Sequence, residues 1–365
     1  MKKVLIYTYK HSNYGAVLQA FALQRYLRDT YSADVKIVDF TTDNHLKGDR
    51  LIKTSGSLIE NVVFSFFNLL HQRELKRRIL RTKSFKDEYF VQTERFSSVE
   101  ELINNNPPAD IYITGSDQVF SPTSVYLPVY YLGFDKGKAI KVAYAPSFGI
   151  SKFTQEMTEH IRPYLEDFDF LSCRETVGSD FLSSIVNKQI PMVCDPTLLL
   201  DKSTWSEVAN RPNYDRKYIL VYEINGGDNI IRLANRLKKE VNLPIVCITS
   251  KTHKHYNVDK VVLDAGPAEF IGWFRDASYV VTDSFHGTVF SWMFEKIFYY
   301  FLAYEATSSR VRTLLKHLNC EDRIVKKEEI GSFNLSSCKP YNKVNLPLIE
   351  NSKQYIESFI NHAIY

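Results

Sequence analysis

The sequence predicts an α/β protein built as two sheet-and-helix halves in tandem, with a cleft between them. Short apolar runs suited to buried strands alternate with helix-period segments along most of the chain. The pattern lapses over residues 195–215, where Pro196 and Arg211-Pro212-Asn213 interrupt it, and restarts cleanly at Lys217. The length of 365 residues also favours two compact units, at roughly 100–200 residues per domain.

Residues 4–9 read as a buried strand. Asn13-Tyr14-Gly15 then breaks the chain before a helix with Val17, Ala20, Leu23 and Leu27 on one face, and a second strand follows over 35–40. This βαβ unit is the building block of a parallel sheet. Further strands are expected over 111–114, 141–144, 168–173 and 191–194. The second half reads as strand 217–223, helix 230–240, strand 244–249, helix 267–276, strand 279–282, helix 287–294 and strand 297–301. The expected division is a first domain over 1–200 carrying a helical, basic excursion over about 50–100, a second over 215–335, and a segment 336–365. The helical pattern at 348–364 in that last segment is expected to pack back on the first domain.

Composition narrows the function. Hydrophobic residues make up 44% and aromatics 14%, enough for each half to close a core, so disorder is excluded over most of the length. A net charge of +4 is too small a bias for a nucleic-acid binder without a localised stripe, and no nucleic-acid partner is expected. Five scattered cysteines with no C-x-x-C spacing indicate neither a disulfide framework nor a zinc site, which suits a reducing cytoplasm. The apolar run after Met1-Lys2-Lys3 is too short and polar for a signal peptide, and residues 58–70 fall short of a spanning helix. Neither G-x-G-x-x-G nor a P-loop is present. Asp167-Phe168-Asp169 has the form of a metal-binding Asp-x-Asp but sits in an apolar run, and no metal is expected.

The strongest local signal is strand 279–282 running into Asp283-Ser284-Phe285-His286-Gly287-Thr288 and an apolar helix. Carboxyl ends of strands in open α/β sheets face the ligand crevice. Gly287 and Thr288 open a helix whose backbone N–H groups suit an anion, with His286 as a charge-assisted donor or proton shuttle. Asn13-Tyr14-Gly15 occupies the matching place in the first half. It reads either as a phosphate or carboxylate site or as a cap and tight turn. Gly115-Ser116-Asp117-Gln118 follows strand 111–114 in the same way, with Asp117 a base for a sugar hydroxyl or a helix cap. Arg174 reads as a bidentate anion ligand or as the partner of Glu175 in a surface pair. Arg310, after Ser308-Ser309 and with Arg312 next but one, reads as a second anion clamp or as a basic residue on a solvated face before a helix. Residues 62–70 followed by seven basic residues between Arg73 and Lys86 read as a solvated helical excursion or as a rest on an anionic membrane.

Taken in order, Asn13-Tyr14-Gly15-Ala16-Val17-Leu18-Gln19-Ala20, Gly115-Ser116-Asp117-Gln118-Val119, Ala145-Pro146-Ser147-Phe148-Gly149, Arg174-Glu175, Asp195-Pro196-Thr197-Leu198-Leu199 and Thr282-Asp283-Ser284-Phe285-His286-Gly287-Thr288 resemble the polysaccharide pyruvyl transferase family. The resemblance spans about residues 4–325. It implies two Rossmann-like domains facing across a cleft, as in GT-B glycosyltransferases. It also implies transfer of pyruvate from phosphoenolpyruvate to two hydroxyls of one sugar, in capsule or exopolysaccharide synthesis. The donor is then a substrate and no cofactor is expected. The acceptor is a sugar, and a lipid-linked oligosaccharide with peripheral contact at the cytoplasmic face of a membrane would suit residues 62–86.

The resemblance also maps residues. The family's first-domain arginine corresponds to Arg174, and its Arg-x-His pair corresponds to Ser284-Phe285-His286, with serine in place of arginine. Positive charge near the donor phosphate is then expected from elsewhere, with Arg310 the candidate. On this reading His286 is the general acid or phosphate ligand and Asp117 the base. Arg174, with Asn13, Tyr14, Gly15, Ser116, Ser284 and Gly287, would line the substrate site. The competing readings are a glycosyltransferase using a nucleotide-sugar on the same scaffold and a non-catalytic assembly partner.

Overall fold

The first five strands are β1 (Lys3–Tyr7), β2 (Asp34–Phe40), β3 (Gln92–Phe96), β4 (Ile111–Thr114) and β5 (Ile140–Ala143), and they form one sheet in the order β3-β2-β1-β4-β5. All its pairings are parallel. This is a computed structural model that describes residues 1–11, 13–46, 58–134, 137–254, 256–304, 309–337 and 346–363. Ser308, Cys338, Ile364 and residues 50–57 of the expected excursion lie outside the described residues.

The second sheet contains β6 (Ile219–Tyr222), β7 (Ile245–Ile248), β8 (Lys260–Val262), β9 (Tyr279–Thr282), β10 (Ile297–Phe301) and β11 (Ile324–Val325). It is also parallel throughout, in the order β11-β10-β9-β6-β7-β8. Each half therefore has the doubly wound order, and its strand order reverses next to the first strand. Ligands in such sheets bind outside the carboxyl ends of the strands at that reversal. Here those ends are β1 and β4 in one half, and β6 and β9 in the other. The expected α/β architecture of two Rossmann-like halves is the one observed.

Two expected strands are absent as regular elements. Residues 168–173 run beside β5 and residues 191–194 beside them, but they pair only through isolated bridges, Val142 with Phe170 and Cys173 with Met192. The pairing of 168–173 with β5 stops where the Ala145 N–H goes to the Ser172 hydroxyl (3.1 Å) in place of a backbone carbonyl. Conversely, the short or polar strands β3, β8 and β11 had no apolar run to announce them.

One apolar cluster joins the halves. Trp205, fully buried, sits between Phe21 of helix Tyr14–Tyr31 and Phe290 of helix Phe285–Met293, at centroid distances of 5.6 and 5.0 Å. Tyr14 stacks on Phe270 of helix Pro267–Asp276 at 4.5 Å, and its hydroxyl donates to the Ala265 carbonyl at 2.8 Å. Burial holds that phenol up at about 12. Helix Pro347–His362 packs on the first sheet: Tyr355 Oη donates to the Ala143 carbonyl (3.1 Å), Ser352 Oγ accepts from the Cys194 N–H (2.8 Å), and Lys2 reaches the Ile360 carbonyl.

Because Tyr14 seals the halves mainly by packing, Tyr14→Ala is expected to cost about 3 kcal/mol in urea unfolding, by analogy with aromatic truncation in cores. Tyr14→Phe, which loses only the hydrogen bond to Ala265, is expected to cost about 1 kcal/mol.

Candidate active site

The turn after β4 is held in a costly shape. Asp117 has φ 72° and ψ −167°, a region that a residue with a Cβ adopts at a cost of order 1–3 kcal/mol. Its carbonyl accepts from the Ser147 N–H at 2.7 Å and it bridges to Pro146, so the turns after β4 and β5 are tied together. The constraint holds the Asp117 carboxylate near Arg174, partly open to solvent.

Arg174 follows the irregular stretch beside β5, its N–H donating to the Pro146 carbonyl at 3.1 Å. The guanidinium is buried. Nη1 donates to the Asp195 carboxylate at 2.5 Å and to Ser116 Oγ at 3.4 Å, while Nη2 lies 3.5 Å from Asp117. Its plane rests 4.5 Å from the Phe285 ring centroid. Among the described residues, Nε and Nη2 have no hydrogen-bond partner. A buried cation with open donors is costly unless something anionic completes it.

Asp195 is fully enclosed. Oδ1 accepts from Thr197 N (3.0 Å) and Thr197 Oγ1 (2.7 Å), and Oδ2 accepts from Ser116 Oγ (3.0 Å) as well as Arg174. Burial pushes its carboxyl up, but His286, Arg174 and Thr197 together outweigh burial and hold it well below the usual carboxylate range. His286 Nε2 stands 3.6 Å from the same oxygen, beyond hydrogen-bond range, and has no hydrogen-bond partner among the described residues.

His286 reaches this point from the second half. Its helix starts at the carboxyl end of β9, and its ring lies over Gly15 of the first half: a Cβ on Gly15 would sit 2.0 Å from Nδ1. Gly15 is glycine because the imidazole occupies that space. Arg310, on helix Ser309–His317, also comes from the second half and donates to the Gln118 side-chain oxygen at 2.9 and 3.2 Å once that amide is oriented oxygen-first. Burial and the Arg174 charge push Arg310 down, while Asp117, Glu175 and Tyr300 oppose them.

The structure thus brings together Arg174, Asp117, His286 and Arg310. It gives the other sequence candidates different work. The Gly15 N–H donates to Asn13 Oδ1 (2.9 Å), the Gly287 N–H to Ser284 Oγ (3.3 Å), and the Thr288 N–H to the Ser284 carbonyl (2.9 Å). Asn13 and Ser284 thus act as helix caps, and the N–H groups of Gly15, Gly287 and Thr288 are taken within their own helix starts. Tyr14 joins the halves, and Ser116 is wholly buried as a partner of Asp195. Asp283 accepts from Ile224 N (2.8 Å), Asn225 N and Gly226 N (2.6 Å), tying the ends of β6 and β9; burial pushes its carboxyl up. The surface pair of Arg174 with Glu175 is replaced by the buried pair with Asp195. Glu175 instead accepts from Ser147 Oγ (2.9 Å) and Phe148 N (3.1 Å), with burial raising its pKa.

Sequence reasoning assigned no site role to Asp195, Gln118 or Phe285. The one signal for Asp195 was its place in Asp-Pro-Thr-Leu-Leu, which also fits a local cap to Thr197, a role it has too.

The profile of the polysaccharide pyruvyl transferase family matches residues 13–305, most of the chain. The chain belongs to this family. It is therefore a transferase. Among curated proteins no sequence matches it. Solved structures share its GT-B fold. The UDP-GlcNAc 2-epimerase of Methanocaldococcus jannaschii is 12% identical, with 98% of this chain and 99% of that one covered at a TM-score of 0.53. The UDP-N-acetylglucosamine 2-epimerase of Rickettsia bellii is 10% identical, with 100% and 98% covered at 0.54. The S. aureus MnaA–UDP structure is 12% identical, with 99% and 97% covered at 0.53. At these identities the likeness concerns the fold of this pyruvyl transferase family member.

Gly15→Ala forces the His286 ring to move and is expected to cost about 1–3 kcal/mol in urea unfolding. Gly331→Ala, where a Cβ meets nothing within 4 Å, serves as the control and should change stability little.

A second expectation concerns His11 and His45, stacked at 4.5 Å beyond the ends of β1 and β2. Burial and nearby positive charge, Lys10 in both cases, lower His11 to about 3 and His45 to about 4. Their unfolded pKa is about 6.5, so below that pH the unfolded chain binds protons the folded one refuses, and stability falls as pH drops toward 4. The buried carboxyls of Glu175 and Asp283 act in the opposite sense, so the comparison is with His11→Asn/His45→Asn. That variant should lose less thermal stability between neutral pH and the acid end of this window.

Proposed function

We propose that the protein transfers pyruvate from phosphoenolpyruvate to two hydroxyls of one sugar, forming a ketal in the synthesis of a surface polysaccharide such as a capsule or exopolysaccharide. The observation that carries this reading is the buried guanidinium of Arg174, with two nitrogens unpartnered among the described residues, 3.5 Å from the partly exposed Asp117 carboxylate and sharing Asp195 with a histidine from the opposite half. A small dianionic or trianionic donor completes those nitrogens. Arg310, fixed by Gln118, supplies the second cation that Ser284 does not.

The chemistry balances with the groups present. Protonation of the donor methylene makes a methyl group and leaves positive charge at the adjacent carbon. Two sugar hydroxyls add there in turn, the carbon–oxygen bond to phosphate breaks, and inorganic phosphate leaves. Of the two hydroxyl protons, one is balanced by the new methyl hydrogen and the other by the released phosphate. In this scheme Asp117 takes a hydroxyl proton, His286 delivers a proton or binds the phosphate, and Arg174 and Arg310 hold the anionic groups. Asp195 touches no substrate; it positions Arg174 and His286.

Several outcomes test the scheme by mass spectrometry of the acceptor and by phosphate release. Arg174→Ala is expected to lower kcat/KM by about 10³-fold or more, since it removes a charge-assisted contact and leaves Asp195 buried and short of a partner. Asp117→Asn is expected to lower kcat by about 10²–10⁴-fold with the fold retained. Donor choice is read by thermal stabilisation, which for phosphoenolpyruvate at about 100 times its Kd should amount to about 2.7 kcal/mol. Stabilisation by nucleotide-sugars alone would instead favour a glycosyltransferase. Absence of any product, with Asp117, Arg174 and His286 all replaceable, would favour an assembly partner.

A further inference from the structure

Helix Leu58–Leu70 carries an apolar face that none of the described elements covers. Val62, Phe66, Leu69 and Leu70 fall at the i, i+4, i+7, i+8 spacing of one helical stripe and are 68%, 58%, 47% and 61% exposed, with Val63 beside them. Large exposed apolar side chains are otherwise scattered singly over the described surface. The opposite face is anchored: the Phe64 ring lies 4.4 Å from His253, and Asn68 Oδ1 accepts from Thr252 Oγ1 at 2.7 Å. The orientation of the helix is therefore fixed with its apolar stripe outward.

The next helix, Gln72–Tyr89, begins two residues after the stripe ends and carries exposed charge. Arg73, Lys76, Arg77 and Lys83 are exposed at helical spacing around Leu80, itself exposed. Arg77 pairs with Asp264 at 2.9 Å, and Arg81 donates to the Asp264 carbonyl at 2.7 Å, so this helix is held against the second half and presents its basic edge outward. An apolar stripe bordered by basic residues matches the cross-section of an anionic bilayer, with acyl chains behind phosphate headgroups. Thirteen residues are too few to span a membrane. A second copy of the chain fits less well, because a symmetric contact through the stripe would bring two basic edges together.

We propose that helices Leu58–Leu70 and Gln72–Tyr89 form a docking surface for a membrane containing anionic lipid, with the apolar stripe in the interface and the basic edge on the headgroups. The surface adjoins the cleft. Thr252 and His253 follow β7, and Lys251 in the same loop bonds Glu223 (2.6 Å) and the Ile224 carbonyl at the end of β6, next to the residues that Asp283 ties down. Docking there puts the cleft mouth at headgroup level, where a lipid-attached sugar would be presented; that last step rests on the transferase reading, whereas docking itself does not.

The test is sedimentation of the full chain with vesicles of phosphatidylcholine alone and of phosphatidylcholine mixed with phosphatidylglycerol. Binding is expected to the mixed vesicles, weaker by about tenfold or more to neutral ones, and falling as salt is raised. Val62→Ser/Phe66→Ser and, independently, Arg73→Glu/Lys76→Glu should each weaken binding by about tenfold while leaving the thermal midpoint and phosphate release with a water-soluble acceptor unchanged. The proposal is overturned if the wild-type chain binds neither vesicle, if both variants bind as the wild type does, or if gel filtration shows the apolar pair converting a dimer to a monomer. Failure of the transferase reading would appear separately, as absent turnover with vesicle binding intact.

Discussion

Asp195 accepts from Arg174, Ser116 and Thr197 in a place closed to water, and the imidazole of His286 stands 3.6 Å from the oxygen that holds the guanidinium. Removing a carboxylate from water costs several kcal/mol, and it is repaid only where the surrounding donors are well placed. Here the donors come from the turn after β4, from the stretch beside β5 and from the segment that leaves the first half, while the histidine comes from the far half. The carboxylate is thus a meeting point for chain segments distant in sequence, and the shape of the cleft follows from it. Gly15 leaves room for the ring, Tyr14 and Trp205 seal the apolar joint behind it, and Phe285 covers the guanidinium.

Around this point the positive charge of the cleft is carried by side chains. In the helix starts that face it, the Gly15 N–H is taken by Asn13 and the Gly287 N–H by Ser284. Arg174 and Arg310 remain, one buried with open donors and one steadied by Gln118. Serine at 284 is accommodated because its hydroxyl caps a helix while a guanidinium arrives from the next helix along. The strained turn at Asp117 has a matching logic: a relaxed turn would carry the carboxylate elsewhere, so backbone strain of order 1–3 kcal/mol fixes it near Arg174.

The sheet strands that pack on both faces were readable because burial on both sides demands continuous apolar runs, as in β1, β4, β6, β9 and β10. Edge strands are under no such demand, and the polar β3 and the very short β8 and β11 escaped notice for that reason. Asp117 and His286 were visible because they follow strands at the reversal of each sheet, where chemistry concentrates. Asp195 was not, because a carboxylate that serves only other protein groups has no local pattern; its partners are defined by the fold. The same holds for the helix caps, since Asn13 and Ser284 would carry the same residue types had they bound a ligand.

The coupling of the two halves through Asp195 is measured most directly by a double-mutant cycle on phosphoenolpyruvate affinity, using Asp195→Asn, His286→Gln and the combined variant in calorimetric titrations. If Asp195 positions both Arg174 and His286 for one donor, each single variant weakens binding and the combined loss falls short of the sum by about 1 kcal/mol or more. Losses that add, or affinity that neither substitution changes, would contradict the account.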